Sequence, residues 1–364
     1  MGETYLATPK PPPALHIPES SFTVDVRIID TNALLHLDPI LFWQPPLEGF
    51  PGVNAPIYCF LVSHGTAQVV FDLGVRPDWE NLPPKIVSLV KATTTITPGS
   101  SVAAVLASPK RNNLKIRSAD ITSVIWSHNH FDHTGDPSTF PPSTELVVGP
   151  GVRDLSWPGW PTNPDAGVLD SDIAGRKVRE ISFSANPLKI GSFDAFDFFG
   201  DGSFYLLDAP GHAKSHLCGL ARTTANPASF VFMGADACHH PGILRPTNYL
   251  PLPRSITPSP LSSTHAADKS ISSCPGSILQ TLSLKQSPTT PFFQVANSVL
   301  FSDHDAAMET VRKIQELEAS PDILVVLAHD LSLRERVPLF PEKVNDWRKL
   351  GLKEDTRWSF CGDF

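Results

Sequence analysis

The sequence predicts an α+β protein in which strands outnumber helices and do not alternate regularly with them. An amphipathic pattern typical of a long helix occurs at 303–318. The 37 prolines favour strands and irregular connections over a helical bundle. A regular parallel α/β fold is not expected, because it would require strands and helices in alternation. Apolar, β-branched runs of strand length recur along the chain, at 57–62, 67–72, 204–208, 229–236 and 323–328.

The 364 residues are expected to form one domain with an N-terminal arm. Residues 1–20 contain five prolines and are predicted to be extended. Residues 21–364 are predicted to form a single domain, which is long enough to bury a large core. Within this domain, residues 250–293 are rich in Ser, Thr and Pro and lack the apolar periodicity of an independent core. We expect an insertion there.

Composition argues against two classes of partner. The chain has 29 basic and 37 acidic residues, a net charge of -8 and no stripe of Lys or Arg, so nucleic acid is not expected to bind. No segment approaches the roughly 18 to 20 apolar residues that a membrane span needs. The N-terminus has no apolar leader, and the five cysteines never form a Cys-x-x-Cys pair, which favours a cytoplasmic protein with reduced thiols. The sequence leaves the oligomeric state open.

A cluster of metal-binding residues follows a predicted buried strand at 120–126. It reads His128-x-His130-x-Asp132-His133. His128 and His130 are two residues apart and point to the same side, so both can bind one cation. The next bend displaces Asp132 and His133 by a few ångströms, so that these two can bind a second cation. Neutral imidazole suits zinc, iron and similar ions, and a carboxylate neutralises part of their charge.

Other predicted strands also end in potential ligands. Pro210 and Gly211 form a tight turn that presents His212 after one strand, while Asp236 and His329 each follow another. Asp236 could bridge two cations with its two carboxylate oxygens. Two further residues are expected to hydrogen-bond the metal-binding residues or their loop: Asp72, at the end of the strand at 67–72, and His216, for which a purely structural role is the alternative.

Aromatic residues among prolines are candidates for the wall of a substrate pocket. Phe42 and Trp43 lie in an apolar segment broken by prolines, and core packing is the alternative for both. Trp157 and Trp160 are predicted to form a second part of the rim, and Tyr249 is a further candidate.

Taken in order, these motifs resemble the seven-ligand signature of the metallo-β-lactamase superfamily, and Asp72-Leu73-Gly74 is similar to that family's Asp-x-Gly strand end. The resemblance implies a four-layer αβ/βα sandwich, with two mixed sheets face to face and helices outside. It also implies two divalent metal ions. Zinc is expected, and iron or manganese suits the same ligands. By position, one ion would bind His128, His130 and His212, the other Asp132, His133 and His329, and Asp236 would bridge them.

Within the superfamily, the chain resembles the lactonase-like branch that includes quorum-quenching acyl-homoserine lactonases. Ala328-His329-Asp330 followed by Phe340-Pro341-Glu342 is similar to the C-terminal stretch of those enzymes. They carry a Tyr three residues after the bridging Asp, where this chain has His239, and this departure argues against acyl-homoserine lactones as substrates. The Pro-rich insertion and the run Ala237-Cys238-His239-His240 look more like fungal relatives, some of which open lactam rings of plant-derived heterocycles.

The resemblance therefore implies a hydrolase whose dinuclear metal site supplies hydroxide to open a small-molecule lactone or lactam, benzo-fused heterocycles included. Asp132 or His239 would return a proton to the leaving group. Two alternatives remain. A thioesterase acting on acyl-carrier-protein-bound or glutathione thioesters, similar to glyoxalase II, would need a long groove with basic residues at its mouth. A non-catalytic binding protein would be expected to lack ligands, and none is missing.

Overall fold

The computed structural model describes residues 4–109, 113–261 and 273–364. The strands of these residues vary widely in length, and several of the shortest contain only two residues. In chain order they are β1 (Asp25–Leu37), β2 (Trp43–Gln44), β3 (Val53–His64), β4 (Ala67–Phe71), β5 (Ile96–Thr97), β6 (Ser123–Ile125), β7 (Glu145–Val148), β8 (Val178–Glu180), β9 (Leu188–Ile190), β10 (Phe193–Asp197), β11 (Phe204–Asp208), β12 (Leu217–Ala225), β13 (Ala228–Met233), β14 (Ser255–Ile256), β15 (Cys274–Pro275), β16 (Gln294–Val295) and β17 (Ile323–Val326).

The α-helices are mostly short, and the one at 304–318 is the longest of those in the described residues. They are α1 (Pro39–Phe42), α2 (Pro84–Thr93), α3 (Val102–Ala107), α4 (Phe131–Thr134), α5 (Val152–Ser156), α6 (Pro241–Leu244), α7 (Gly276–Gln280), α8 (His304–Glu318) and α9 (Leu352–Thr356).

Two mixed sheets form the centre of the fold. One has seven strands in the order β5-β1-β3-β4-β6-β7-β8, and the other has six in the order β17-β13-β12-β11-β10-β9. The run from β4 to β8 is parallel, as is the pair β13 and β17, while the remaining pairs within these sheets are antiparallel. This mixture confirms the expectation of an α+β fold rather than a regular parallel one.

The sheets are buried on both faces because their strands are apolar at successive positions. Tyr58 and Phe60 of β3 join a core cluster that also contains Phe204 and Leu206 of β11, so this cluster lies between the two sheets. The alternate residue Leu61 belongs to a cluster with the side chains of α3, on the opposite face of the seven-stranded sheet. Successive strand residues point to opposite faces, which accounts for this division.

Helix α8 covers the outer face of the six-stranded sheet. Its buried residues Ala307, Val311, Ile314 and Leu317 recur every three or four positions and pack into a third core cluster. With α3 on the far side of the other sheet, the order is helix, sheet, sheet, helix. The four-layer sandwich that the family resemblance implied is therefore confirmed.

The N-terminal residues and the Ser- and Pro-rich segment lie against each other. Leu6 donates its backbone N–H to Leu252 O at 2.8 Å, and Arg254 donates to Thr4 O at 2.7 Å. Leu252 and Phe293 are buried in the same core cluster as α8, so the described part of 250–293 contributes to the main core. Residues 262–272 of the predicted insertion lie outside the described residues. Among the described residues, no helix is both long and apolar enough to cross a membrane.

Candidate metal centre

Strands from both sheets end at one edge of the sandwich, and the predicted ligands lie in the turns that follow them. Since β4 and β6 are parallel, Asp72 and the turn from Ser127 to His133 lie beside each other. Since β13 and β17 are also parallel, Asp236 and His329 lie beside each other. His212 follows β11 in the same sheet as β13.

Close backbone packing at Gly211 positions the turn that carries His212. Gly211 has a φ of +134°, and a Cβ atom there would lie 2.2 Å from the backbone nitrogen of Ala307 in α8. Ser302 and Asp303 donate their backbone N–H groups to His212 O and Gly211 O at 3.0 and 2.9 Å. Glycine is therefore required for the turn to approach the start of α8 closely.

His128, His130 and His212 form the first group of potential ligands. The Nε2 atom of His212 lies 2.8 Å from Nδ1 of His130, and Nε2 of His128 is buried without a hydrogen-bond partner. Burial lowers the pKa of His128 and of His212, so that both imidazoles are neutral and can offer a lone pair to a cation.

Asp132, His133, Asp236 and His329 form the second group, whose ligand atoms all lie within 4.8 Å of one another. The two oxygens of Asp236 face different groups. Its Oδ1 lies 2.8 Å from His133 Nε2 and 3.1 Å from His329 Nε2, whereas its Oδ2 lies 3.4 Å from His212 Nε2. This is the arrangement that a carboxylate bridging two cations requires.

The hydrogen bonds of His133 and His329 show that the second group suits a cation. His133 donates from Nδ1 to Asp72 Oδ2 at 2.8 Å, and His329 donates from Nδ1 to Pro56 O at 2.9 Å. In the neutral form of each ring, which is the form that binds a metal ion, Nε2 therefore carries a lone pair that faces Asp236. His133 Nε2 and Asp236 Oδ1 are both buried and make no hydrogen bond, although they lie 2.8 Å apart. Two acceptors this close would repel each other, so positive charge is needed between them. Burial lowers the pKa of His133, but the carboxylates of Asp236, Asp132 and Asp72 outweigh this effect and raise it well above its usual value.

The pKa of His329 leads to the same conclusion. Burial alone would lower this pKa, but the carboxylates of Asp236 and Asp132 raise it to about 9. The centre therefore favours positive charge strongly enough to outweigh the loss of solvent around the imidazole. Divalent cations satisfy this requirement, and the nitrogen and oxygen ligands present fit them.

Asp72 and His216 each hydrogen-bond a part of the centre. Besides its contact with His133, Asp72 accepts the backbone N–H of Ser127 through Oδ1 at 2.7 Å. His216 Nε2 accepts the backbone N–H of Asp236 at 3.0 Å. The carbonyl of Pro56 and the hydroxyl of Ser127, which lies 3.0 Å from His128 Nδ1, orient two further imidazoles. These last two contacts could not be predicted from sequence, because any residue offers a backbone carbonyl and serine is common in turns.

His239 is buried behind Asp236. Its Nε2 atom lies 3.1 Å from Asp236 Oδ2, and its ring packs against Phe42 and Phe301, with centroids 4.6 and 5.5 Å away. His239 also forms a possible ligand group with His212 and Asp236. Asp132, by contrast, lines a cavity beside the two ligand groups.

A cavity of about 320 Å³ opens beside the two ligand groups. One wall is formed by His130, Asp132, His212, Asp236 and His329. The rest is mainly apolar, and among the described residues that line it there is neither Lys nor Arg. These remaining lining residues are Leu35, Leu37, Phe42, Ile86, Leu89, Thr93, Thr94, Asn129, Phe131, Gly167, Val299 and Leu300.

Of the five aromatic residues predicted to line a pocket, only Phe42 lines this cavity. Trp43, with 0% of its surface exposed, packs between Phe50 and Phe293 because β2 pairs with β16 and turns it inward. The other three also lie elsewhere. Trp157 stacks on Trp126 and donates Nε1–H to Leu169 O. Trp160 forms an isolated β-bridge with Leu169. Tyr249 is half-buried in the turn after Thr247.

The four-layer sandwich and the two ligand groups at its edge define a metal-dependent hydrolase with a dinuclear site for divalent ions. Residues 53–222 match the family described as the metallo-beta-lactamase superfamily. Metallo-hydrolase mfmC of Annulohypoxylon moriforme is 65% identical over 99% of this chain and 93% of its own length. The chain belongs to the metallo-β-lactamase superfamily.

Two other similarities extend over most of the chain. Gamma-lactamase FDB1 of Fusarium pseudograminearum (strain CS3096) is 46% identical over 97% of this chain and 85% of its own length. The crystal structure of an AiiA mutant from B. thuringiensis with N-decanoyl-L-homoserine bound has a TM-score of 0.56, covers 89% of this chain and 100% of the AiiA chain, and is 15% identical, so it shows the fold alone. Three longer curated relatives also match, and this chain spans only 39% to 40% of their length.

Proposed function

We propose that this protein opens the ring of an uncharged lactone or lactam, and that its two native metal ions are zinc. The observation that carries the proposal is the cavity, in which both ligand groups form one wall and uncharged side chains form the remainder. Relatives named as a metallo-hydrolase and a gamma-lactamase support the same reaction class. The small volume of the cavity favours a single or fused ring over a polymer.

The seven residues of the two ligand groups would hold the ions as described above. Two divalent ions would lower the pKa of water enough to supply hydroxide at neutral pH and would polarise the scissile carbonyl. Asp236 keeps its two oxygens directed at different groups, and its backbone is held by the hydrogen bond to His216. The apolar walls exclude bulk water from the ring while it is attacked.

Asp132 is the residue we assign to proton transfer. Its Oδ2 lies 3.5 Å from Nε2 of both His133 and His329, which leaves Oδ1 to take up a proton and return it to the leaving oxygen or nitrogen. An amide nitrogen requires this proton more than an ester oxygen does, because an amide anion is a much poorer leaving group. His239 does not line the cavity, and we assign it the role of orienting Asp236.

The thioesterase alternative is not favoured. Pantetheine carries a phosphate and glutathione carries carboxylates, and such groups are usually bound by Arg or Lys. The described lining of the cavity provides no such residue.

The five cysteines are free and buried, which supports the predicted cytoplasmic location.

The test is metal analysis combined with a substrate panel of γ-lactones, benzo-fused lactams and acyl thioesters. We expect two zinc ions per chain, turnover of at least one cyclic ester or amide, and loss of turnover after chelation that zinc restores. Asp236→Asn should lose both an ion and activity, whereas the matched control Asp305→Asn, at a fully exposed carboxylate, should lose neither. Undiminished turnover after complete metal removal, or turnover of thioesters alone, would refute the proposal.

A further inference from the structure

Two exposed apolar side chains from different segments of the chain line the cavity. Leu89 of α2 is 40% exposed and Val299, between β16 and α8, is 92% exposed. Both line the cavity that also contains His212 and Asp236. Single exposed apolar residues are common on protein surfaces, but a pair at the rim of a concave apolar site is typical of a ligand contact.

The segment that carries Val299 is fixed to the wall of the cavity. Ser298 donates its hydroxyl to Leu41 O at 2.6 Å, and Ala296 donates its backbone N–H to Phe42 O at 3.2 Å. The pairing of β16 with β2 adds a third attachment. Val299 is therefore held in place without a ligand, so binding does not have to order this side of the rim.

Apolar side chains continue from this rim into the cavity. Ile86 lies one helical turn before Leu89, and Leu300 follows Val299. Outside the two ligand groups, the polar part of the lining consists of three uncharged residues, Thr93, Thr94 and Asn129. An anionic substituent would find no cationic partner among the described lining residues, whereas an apolar substituent would bury surface against Leu89 and Val299.

We infer that Leu89 and Val299 together clamp an uncharged apolar substituent of the substrate and thereby determine its specificity. The scissile ring then lies at the ligand groups, and its substituent extends between α2 and the segment at 296–301. This inference rests on the proposed function, because it assigns the substrate class of the same cavity.

The expected size of the effect follows from apolar burial. A methylene group transferred from water to a fully apolar site strengthens binding by up to about fourfold. The rim is partly open, so we expect a factor of about two per methylene over the first few carbons of a chain.

The experiment compares an unsubstituted benzo-fused γ-lactone or γ-lactam with its butyl derivative and with a derivative that ends in a carboxylate. In the zinc-loaded wild-type protein, the butyl derivative should have a kcat/KM at least tenfold higher than the unsubstituted ring. The carboxylate derivative should gain no such advantage. In the double variant Leu89→Ser with Val299→Ser, the ratio between butyl and unsubstituted substrates should fall at least fivefold. Leu155→Ser, at a residue that is 63% exposed and does not line the cavity, should leave this ratio unchanged.

A binding measurement separates this inference from the proposed function. Cyclic ethers of the same ring, with and without the butyl group, contain no bond to hydrolyse and can be titrated into the zinc-loaded protein by calorimetry. If the butyl group tightens binding to the wild-type protein but not to the double variant, the clamp stands even where no cyclic ester or amide is turned over. Equal affinity of the wild-type protein for both ethers, or equal effects of the Leu155→Ser and double variants, would overturn it.

Discussion

Asp72 contacts the metal-binding loop at two points, since its Oδ2 lies 2.8 Å from His133 Nδ1 and its Oδ1 accepts the backbone N–H of Ser127 at 2.7 Å. One carboxylate therefore fixes both the orientation of an imidazole and the start of the turn that carries it. Asp72 itself has a left-handed backbone conformation, with a φ of +62°.

Replacement of this carboxylate should weaken metal binding. In Asp72→Asn, one of the two oxygens becomes an NH₂ group, which cannot accept a hydrogen bond from His133 or Ser127. We expect the affinity of the second ligand group for zinc to fall 10- to 100-fold, as is usual when a partner of a ligand imidazole is lost. Competition with a chromophoric chelator measures this affinity. An unchanged zinc affinity in a folded Asp72→Asn protein would contradict the assigned role.

A methyl group at position 211 should displace His212. In Gly211→Ala, the new Cβ would lie 2.2 Å from the backbone of Ala307, so the turn has to move away from α8. We expect a loss of at least one zinc ion per chain and a lower melting temperature. Gly200→Ala is the matched control, because Gly200 also has a positive φ but no atom lies within 4 Å of its Cβ position. Equal effects of the two substitutions would attribute the loss to backbone strain alone.

Two substitutions at position 239 should distinguish orientation of Asp236 from proton delivery. His239→Phe removes the hydrogen bond to Asp236 Oδ2, whereas His239→Gln keeps an N–H donor. If His239 orients Asp236, the Phe variant should lose zinc affinity and about tenfold in kcat on lactones and lactams alike, and the Gln variant should recover part of both. A loss confined to lactams, with zinc affinity unchanged, would instead assign proton delivery to His239.

Stability should fall with rising pH because of Asp172. Burial raises the pKa of Asp172 to about 7, so the folded protein keeps a proton that the unfolded chain, with a pKa of 3.8, has lost. Because the folded state binds more protons between pH 4 and 7, the free energy of unfolding falls as the pH rises through this range and remains lower above it. Asp172→Asn keeps an oxygen to accept the Leu169 N–H and carries no charge. It should be more stable than wild type at pH 8, on the order of 2 kcal/mol, and the difference should be clearly smaller at pH 5.

Denaturant unfolding of both proteins at pH 5 and 8 measures this difference. Asp170→Asn serves as the control on the same turn. Hydrogen bonds from Thr162 and Gly159 hold the pKa of Asp170 below its usual range, so this variant should gain no stability at pH 8. A constant difference between wild type and Asp172→Asn at the two pH values would contradict the prediction.

The sequence predicted the residues of the two ligand groups because each lies at the end of a recognisable strand. His128, His130, Asp132 and His133 are close in sequence, so their spacing indicates their chemistry. The remaining ligands are far apart in the chain, and the structure brings them to the same edge because the strands before them belong to adjoining parts of the two sheets.

The walls of the cavity could not be predicted in the same way. Phe42 and Trp43 are adjacent and both aromatic, but Phe42 faces the cavity and Trp43 the core, and the pairing of β2 with β16 decides between them. Leu89 and Val299 show no distinctive pattern, since one belongs to an ordinary helix and the other to a short loop. Their common position depends on contacts between segments about 200 residues apart.

The metal centre joins the two sheets. The turn that carries His128 to His133 follows a strand of the seven-stranded sheet, whereas His212, Asp236 and His329 follow strands of the six-stranded one. Neither half of the chain alone contains both complete ligand groups, so the centre forms only when the sheets have come together in the correct register. If each folded chain binds two zinc ions, half of the measured zinc-to-protein ratio would thus give the fraction of chains in a purified sample that have folded. This measurement needs no substrate.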